Sequence, residues 1–365
     1  MNLKGKKIII IVPTLSNGGA ERVAASLSLY FPDEVQVLYV LYQNDITYLY
    51  KGRIISLNID PSKSIFSKAY NFLYRLLKLK SIFLKERPDA VISFMEDPNL
   101  INILLNKRAI ISVREPKSLS VKNDFKNRMI IKKFYNRSKK IISVSKGIKE
   151  DLVNNFNIKP FLIEIIHNPV NTIAINNLAM EKLEDIHEFI FKNKVIICVG
   201  RLSYEKAQVD LLLAYTQLKD IPDLHLVLLG DGEVRYDLEN IAREHNLLDK
   251  IHFLGFQKNP YKFIAKSTLF VLSSKWEGFP NVVLEAMACN IPVISSDCPT
   301  GPSEIFIDNK FKNLYQVGNI DELSLKLRTF LQSDNSDFLA WSKNRLLNFD
   351  PKIIAKQYLE VANES

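Results

Sequence analysis

Short, unbroken apolar runs punctuate the chain, where a sheet with one wet face would show alternation. The first, residues 6–12, reads KKIIIIV. A run with no polar position on either face predicts a parallel strand buried on both sides. Comparable runs predict strands over 34–41, 54–59, 89–94, 109–113, 140–144 and 161–166. Helical periodicity separates several of them, beginning with a helix over 20–29 behind a glycine-containing turn. The pattern therefore predicts βαβ units and a doubly wound sheet. From 171 to 192 the chain turns more polar with a helical pattern, which marks a linker region. A second α/β alternation follows, with strands expected at 194–199, 225–229, 251–254, 269–272 and 292–295. Helical patterns from 320 to 363 close the chain. There is no internal repeat at short period and no low-complexity tract.

The length of 365 residues exceeds one ordinary core and fits two domains. A hydrophobic content of 47% with 24% charged residues is that of a soluble globular protein. Three cysteines, Cys198, Cys289 and Cys298, lie in or beside apolar segments and read as reduced thiols, which predicts a cytosolic protein. His167, His187, His225, His245 and His252 are scattered, so no zinc site is expected. The N-terminal segment carries the charges of a signal peptide, but its apolar run is too short and a small-residue cleavage site is missing. No stretch approaches the length of a membrane span.

Charge changes this picture. Of the net +9, residues 1–170 hold 28 Lys+Arg against 14 Asp+Glu, and residues 171–365 hold 21 against 26. A first half at +14 beside a second at −5 is expected to face something anionic. Two helical stretches concentrate it. Residues 65–87 set Phe66, Tyr70, Leu73, Leu76 and Leu77 among Lys68, Arg75, Lys78, Lys80, Lys85 and Arg87, and 122–140 holds eight basic residues and one acid, Asp124. Basic helices with large apolar residues suit an anionic membrane surface; the alternative is that their apolar faces pack on the sheet. No nucleic-acid-binding module accompanies the charge, so nucleic acid is not expected as a partner.

The candidate chemistry gathers in 273–304, SSKWEGFPNVVLEAMACNIPVISSDCPTGPSE. A strand runs into a short loop carrying Glu277, and Pro280 stands where a helix begins. The helix over 281–289 is apolar nearly all round, as a buried helix is. Glu285 is its one charged residue, and a buried carboxylate needs hydrogen-bond donors or a proton. Asn281 lies one turn earlier on the same face. Two carboxylates thus bracket the open N–H groups of a helix start, a natural seat for an anion. An anion with hydroxyls on both sides satisfies all of these groups, which describes a nucleotide sugar. In the same domain Arg201 and Lys206 leave the end of a strand, where open α/β sheets bind ligands, and the pair suits a diphosphate. Tight turns follow at Gly230-Asp231-Gly232-Glu233 and Gly255-Phe256, and 298–304 is a rigid Pro/Gly loop. In the first domain Asn17-Gly18-Gly19 opens the first helix, where backbone can approach a phosphate; it is not a dinucleotide fingerprint.

These pieces together resemble the family-four retaining glycosyltransferases of GT-B fold. The matching segments are GGAER after the first strand, GRL with EK over 200–206, GDGE over 230–233, and EGFPNVVLEAMA with its two glutamates. They come in the family's order along essentially the whole chain, and GPSE over 301–304 resembles the bacterial subset that builds surface polysaccharides and lipid-linked oligosaccharides. The resemblance implies two Rossmann-like domains facing a central cleft: an acceptor-binding domain over 1–170 and a donor domain over 190–349. A last helix, about 350–365, would pack back on the first domain.

It also implies roles. Arg201 and Lys206 would hold the donor diphosphate and stabilise the leaving nucleotide. N–H groups near Asn281 and Val282 would assist, with Gly232 in the same donor-binding set. Glu285 would accept from ribose hydroxyls, Glu277 would orient the sugar, and Gly18 and Gly19 would close over the donor. No metal or other cofactor is implied. The chain departs from the family at ISVREP, where Arg114 stands in the place of a histidine found in many relatives. Arginine cannot act as a base, so Arg114 is expected to donate to sugar or phosphate. Glu96 and Asp97 are acceptor-side candidates. The expected activity is transfer of a hexose or N-acetylhexosamine from a UDP-sugar to a polyprenyl-diphosphate-linked glycan at the inner face of the membrane. The alternatives are a nucleotide-sugar epimerase of the same fold and a nucleic-acid-binding protein.

Overall fold

A computed structural model describes residues 5–16, 18–59, 64–120, 122, 124–307 and 310–364. Asn17 of the first turn and Asn123 of the second basic stretch lie outside the described residues. The chain forms two compact units, Met1–Pro169 with Pro351–Ser365, and Val170–Asp350. The stretch 171–192, expected as linker, belongs to the second unit, where the helix Thr172–Ala179 packs on Tyr261–Ile264 and on Asn281–Ala288.

In the first unit seven strands form one parallel sheet: β1 (Lys7–Val12), β2 (Gln36–Leu41), β3 (Arg53–Ser56), β4 (Ala90–Phe94), β5 (Ala109–Val113), β6 (Lys140–Ser143) and β7 (Ile163–Ile165). Their order is β3-β2-β1-β4-β5-β6-β7, so the winding reverses between β1 and β4. The isoleucines of β1 show why the run is unbroken. Ile8 and Ile10 face Val23, Ala24 and Leu27 of the helix Gly19–Tyr30 and Ile354, Tyr358 and Leu359 of the C-terminal helix Pro351–Asn363. Ile9 and Ile11 face the other layer, with Leu79 and Ile101. Helices cover both faces, and every position of β1 after Lys7 is apolar and buried.

The second unit repeats the scheme with β8 (Lys194–Val199), β9 (Leu224–Leu229), β10 (Ile251–Gly255), β11 (Leu269–Leu272), β12 (Val293–Ser296) and β13 (Leu314–Tyr315). The order β10-β9-β8-β11-β12-β13 puts its reversal between β8 and β11. Ligands of open α/β sheets bind beyond strand carboxyl ends at such points.

Boundaries differ from expectation where local conformation ends an apolar run. The third strand, expected at 54–59, stops at Ser56, and Asn58 takes a left-handed φ of 50°. β13 was not anticipated, because two residues carry no period. The closing helical pattern is three helices, Ile320–Gln332, Ser336–Leu346 and Pro351–Asn363.

The basic stretch over 65–87 forms one 22-residue helix, Ile65–Glu86, with Ser64 capping it through the Ser67 N–H. Its apolar residues divide between two faces. Phe72, Leu79, Ile82 and Phe83 pack inward. Phe66 (88% exposed), Tyr70, Leu73, Leu77 and Leu84 lie open; steps of four, three, four and seven residues align them in one stripe along the outer face. The alternative that the helix packs an apolar face on the sheet therefore holds for Phe72, Leu79, Ile82 and Phe83, while Phe66, Tyr70, Leu73 and Leu77 stay in the open.

Candidate functional site

In the second unit the loops after β8, β9, β11 and β12 are tied into one platform. After β8, Gly200-Arg201-Leu202 leads into a 3-10 turn, Tyr204–Lys206, and Ala207 (φ 48°) turns the chain into the helix Gln208–Thr216. The amide of Gln208 donates to the Arg201 carbonyl at 2.8 Å. The loop after β11 runs alongside: Lys275 N–H donates to the Glu205 carbonyl at 2.8 Å, and the Ser273 hydroxyl to the Lys206 carbonyl at 2.8 Å. From β12, the Ser296 hydroxyl reaches the Ser274 carbonyl at 2.6 Å. Serine hydroxyls at successive strand ends thus satisfy carbonyls that would otherwise be buried without a donor.

On this platform Lys206 Nζ stands 2.6 Å from Glu277 Oε1, and the same oxygen accepts from Ser274 Oγ at 2.5 Å. Glu277's backbone is held as well, its carbonyl accepting from the Thr300 hydroxyl of the Pro/Gly loop. That loop fits closely: Gly301 has φ 95°, and a Cβ there would come within 2.6 Å of Pro280 Cδ. Arg201 is exposed and pairs with Glu205. Pro280 caps the helix Asn281–Ala288, in which Asn281 and Val282 are half-buried at the open N-terminus and Glu285 is 7% exposed.

The GDGE turn after β9 supports the Arg201 loop directly. Leu202 N–H donates to the Asp231 carbonyl at 3.0 Å. A Cβ on Gly230 (φ 133°) would lie 1.9 Å from the Gly200 carbonyl oxygen, and one on Gly232 would lie 2.2 Å from that of Leu202. Glycine is required at both positions by backbone packed on backbone.

The three cysteines are free thiols and buried. Burial pushes the Cys198, Cys289 and Cys298 thiols up to about 12 each, with Glu277 adding to the rise at Cys198 and Cys298. Among the described residues no three His, Cys, Asp or Glu side chains are grouped to hold a metal ion.

The remaining expected residues lie in the first unit, at its strand carboxyl ends. Gly18 caps the helix that starts at Gly19 after β1, with Arg22 N–H donating to the Gly18 carbonyl at 3.0 Å. After β5, the Arg114 guanidinium reaches the Asn168 side-chain oxygen and Tyr358 Oη (3.4 Å), and lies 5.8 Å from the Phe94 ring centroid. Burial draws its pKa below the ordinary arginine range, while Tyr358 and Glu21 work in the other direction. After β4, Glu96 pairs with Lys117, whereas Asp97 is taken up by Tyr42 Oη (2.7 Å) and Arg75 (2.8 Å).

Five contributors were not anticipated: Ser274, Thr300, Glu205, Lys117 and Tyr358. Glu205 and Ser274 carried a local signal, the i,i+4 spacing of Glu205 from Arg201 and the three-residue spacing of Ser274 from Glu277. The others act through contacts between distant segments, for which spacing along the chain gives no cue.

Two family models account for nearly all of the chain: Glycosyltransferase Family 4 matches residues 17–173, and Glycosyl transferases group 1 matches residues 180–344. The chain is 33% identical over 368 residues to N-acetylgalactosamine-N,N'-diacetylbacillosaminyl-diphospho-undecaprenol 4-alpha-N-acetylgalactosaminyltransferase of Campylobacter jejuni, covering 97% of this chain and 99% of that protein. It is 24% identical to the amylovoran biosynthesis glycosyltransferase AmsD of Erwinia amylovora, over 98% of this chain and 99% of that one. Among solved structures, Anabaena Alr3699/HepE in complex with UDP and glucose has the same fold, with a TM-score of 0.78 at 19% identity over 99% of this chain and 100% of that one. With a glutamate–lysine pair, a GDGE-supported arginine loop and a buried glutamate on one platform, and family models matching each unit, the chain belongs to the family-four glycosyltransferases and is a glycosyltransferase of GT-B fold.

Proposed function

We propose that this enzyme transfers a hexose or N-acetylhexosamine from a UDP-sugar, with retention of configuration, to a polyprenyl-diphosphate-linked glycan in bacterial surface polysaccharide assembly. The observation that carries the reading is the Lys206–Glu277 pair at 2.6 Å, beside the open N-terminus of the helix bearing Glu285. A fixed cation and a row of N–H groups suit a diphosphate whose charge grows as the sugar departs. Arg201, exposed and joined to Glu205, is free to turn from that surface partner to the diphosphate. The buried carboxylate of Glu285 suits ribose hydroxyls, and Glu277, its backbone anchored by Thr300, suits a hydroxyl of the transferred sugar. Side chains then supply the positive charge that a metal provides in other transferases.

The first unit is proposed to bind the acceptor. The Campylobacter relative named above acts on an undecaprenyl-diphosphate glycan, and the excess of basic residues in 1–170 suits a lipid diphosphate and an anionic leaflet. The outer stripe of Ile65–Glu86, flanked by the exposed Lys68, Lys78, Lys80 and Lys85, gives apolar side chains to enter the headgroup region and cations to face it. No helix among the described residues is long and apolar enough to cross a membrane, so attachment at the cytoplasmic face would be peripheral.

The test is transfer of labelled sugar from UDP-glucose, UDP-galactose, UDP-N-acetylglucosamine and UDP-N-acetylgalactosamine to an undecaprenyl-diphosphate-linked disaccharide. One donor should be used, its α linkage kept, and Glu285→Ala or Lys206→Ala should abolish the product. Full transfer by both variants would sink the assignment, and conversion of a UDP-sugar without acceptor would point to epimerisation.

A further inference from the structure

Lys117 is a lysine buried to 2% exposure, yet both carboxylates that pair with it, Glu96 and Glu115 (3.0 Å), are about half open to solvent. Burial alone would drive the ammonium toward its neutral form; the two glutamates outweigh that and raise its pKa. Neutralising one ammonium takes one carboxylate. The second leaves a surplus negative charge on the solvent side of the cluster, beyond the carboxyl ends of β4 and β5.

The backbone holds this arrangement from both strands. Met95, between β4 and Glu96, has φ 75° and ψ 166°, a region otherwise kept for glycine. Just past Lys117, the Ser118 N–H donates to the buried carboxylate of Asp151 at 3.1 Å. Glu96 and Glu115 each give Oε1 to Lys117, and the Glu96 carboxylate also accepts from its own backbone N–H. An ionised carboxylate has about four acceptor positions, so each keeps room for an outside donor. Asp97, next to Glu96, gives a single oxygen to both Tyr42 and Arg75, and these rather than Lys117 are its partners.

We propose that Lys117 is a positioning residue of the acceptor subsite: it fixes Glu96 and Glu115 so that their outward oxygens accept hydrogen bonds from hydroxyls of the acceptor's terminal sugar. Charge-assisted hydrogen bonds to vicinal hydroxyls suit a pair of carboxylates held on one cation. This rests on the reading of the first unit as acceptor-binding.

The transfer assay above tests it, with donor and acceptor KM measured separately on the full chain. Glu115→Gln is expected to raise the acceptor KM about tenfold, the loss of one hydrogen bond to a charged group, while donor KM stays unchanged. Lys117→Met is expected to do the same, and Lys117→Arg to recover most of the affinity. An acceptor with a deoxy terminal sugar supplies the readout that a purely structural role does not move: it should bind the wild type more weakly and Glu115→Gln no differently. Should Lys117→Met fail to fold, Glu96→Gln replaces it in the series. An unchanged acceptor KM in Glu115→Gln, with wild type active, overturns this inference and leaves the transfer reading standing. A wild type inactive with every donor overturns both.

Discussion

Lys206 and Glu277 lie 71 positions apart in the chain, and the structure brings Nζ and Oε1 to 2.6 Å. One comes from the loop after β8 and the other from the loop after β11, the two strands that flank the reversal of the second sheet. The contact is therefore a product of topology. A doubly wound sheet sends its chain outward in opposite directions at that point and leaves a gap between two loops where a ligand fits.

The pair is expected to be worth more than a surface ion pair, because the Glu277 side chain is 10% exposed and that of Lys206 27%. Lys206→Met should leave a buried carboxylate without its cation and cost about 3 kcal/mol of stability. It should also lower kcat by about 100-fold or more, as loss of a preorganised charge does. Lys206→Met with Glu277→Gln should recover stability and no activity. Denaturant unfolding and steady-state kinetics on the two variants separate these effects; recovery of activity in the double variant would show that the pair serves folding alone.

Gly230→Ala should act on the Arg201 side chain through the backbone of its loop. The added methyl would meet the Gly200 carbonyl at 1.9 Å, backbone against backbone, and no rotamer relieves that. Overpacking of this kind costs about 1–3 kcal/mol, which for a unit of this size lowers Tm by roughly 2–12 °C. The displaced loop carries Arg201, so the donor KM should rise more than the acceptor KM. Thermal unfolding with and without UDP measures both, and a Tm unchanged from wild type refutes the close packing.

Much of this site was legible from residue order. Glu277, Pro280, Asn281 and Glu285 announced a strand, a loop and a buried helix start, because a carboxylate in an otherwise apolar helix must be met by donors. The β1 run was equally plain, since burial on both faces removes the alternation that makes other strands ambiguous. Lys117 was not legible: its pairing with Glu96 spans 21 positions and its burial depends on how β4 and β5 lie side by side. The helix Ile65–Glu86 was half legible. Its apolar residues were evident, but large ones stand on two faces, so periodicity did not decide whether Phe72 or Leu73 turned inward.

His225 and His252, on adjacent strands β9 and β10, stack with ring centroids 5.1 Å apart and Nδ1 of one 2.8 Å from Nε2 of the other. Burial, then the charge of His225, pulls the His252 pKa down to about 4 from 6.5, with Lys250 and His187 adding to the fall and Asp249 opposing it. A lowered histidine pKa means that the unfolded chain takes up the proton first. Stability is therefore whole above about pH 6.5 and drains away as pH falls toward 4. Chemical denaturation between pH 7.5 and 4.5 should show the decline, and His252→Phe should flatten it. A decline of equal slope in that variant would assign the effect to other groups.

Leu73 and Leu77 offer a test of membrane attachment free of folding effects. Both lie on the outer stripe, more than half exposed, so replacing them with glutamate removes no core contact and should shift stability by no more than about 0.5 kcal/mol. At an anionic bilayer the same change withdraws two inserted side chains and adds two repelled charges, where a buried methylene contributes about 0.8 kcal/mol and a nearby charge about 1 kcal/mol. Sedimentation with vesicles containing 30% phosphatidylglycerol, taken as a roughly cytoplasmic-leaflet charge, should show the double variant largely in the supernatant while wild type pellets. Transfer to a water-soluble, short-chain acceptor should continue undiminished, because the stripe faces away from the sheet. Equal pelleting of variant and wild type would mean that the lysines, or another surface, hold the enzyme at the lipid.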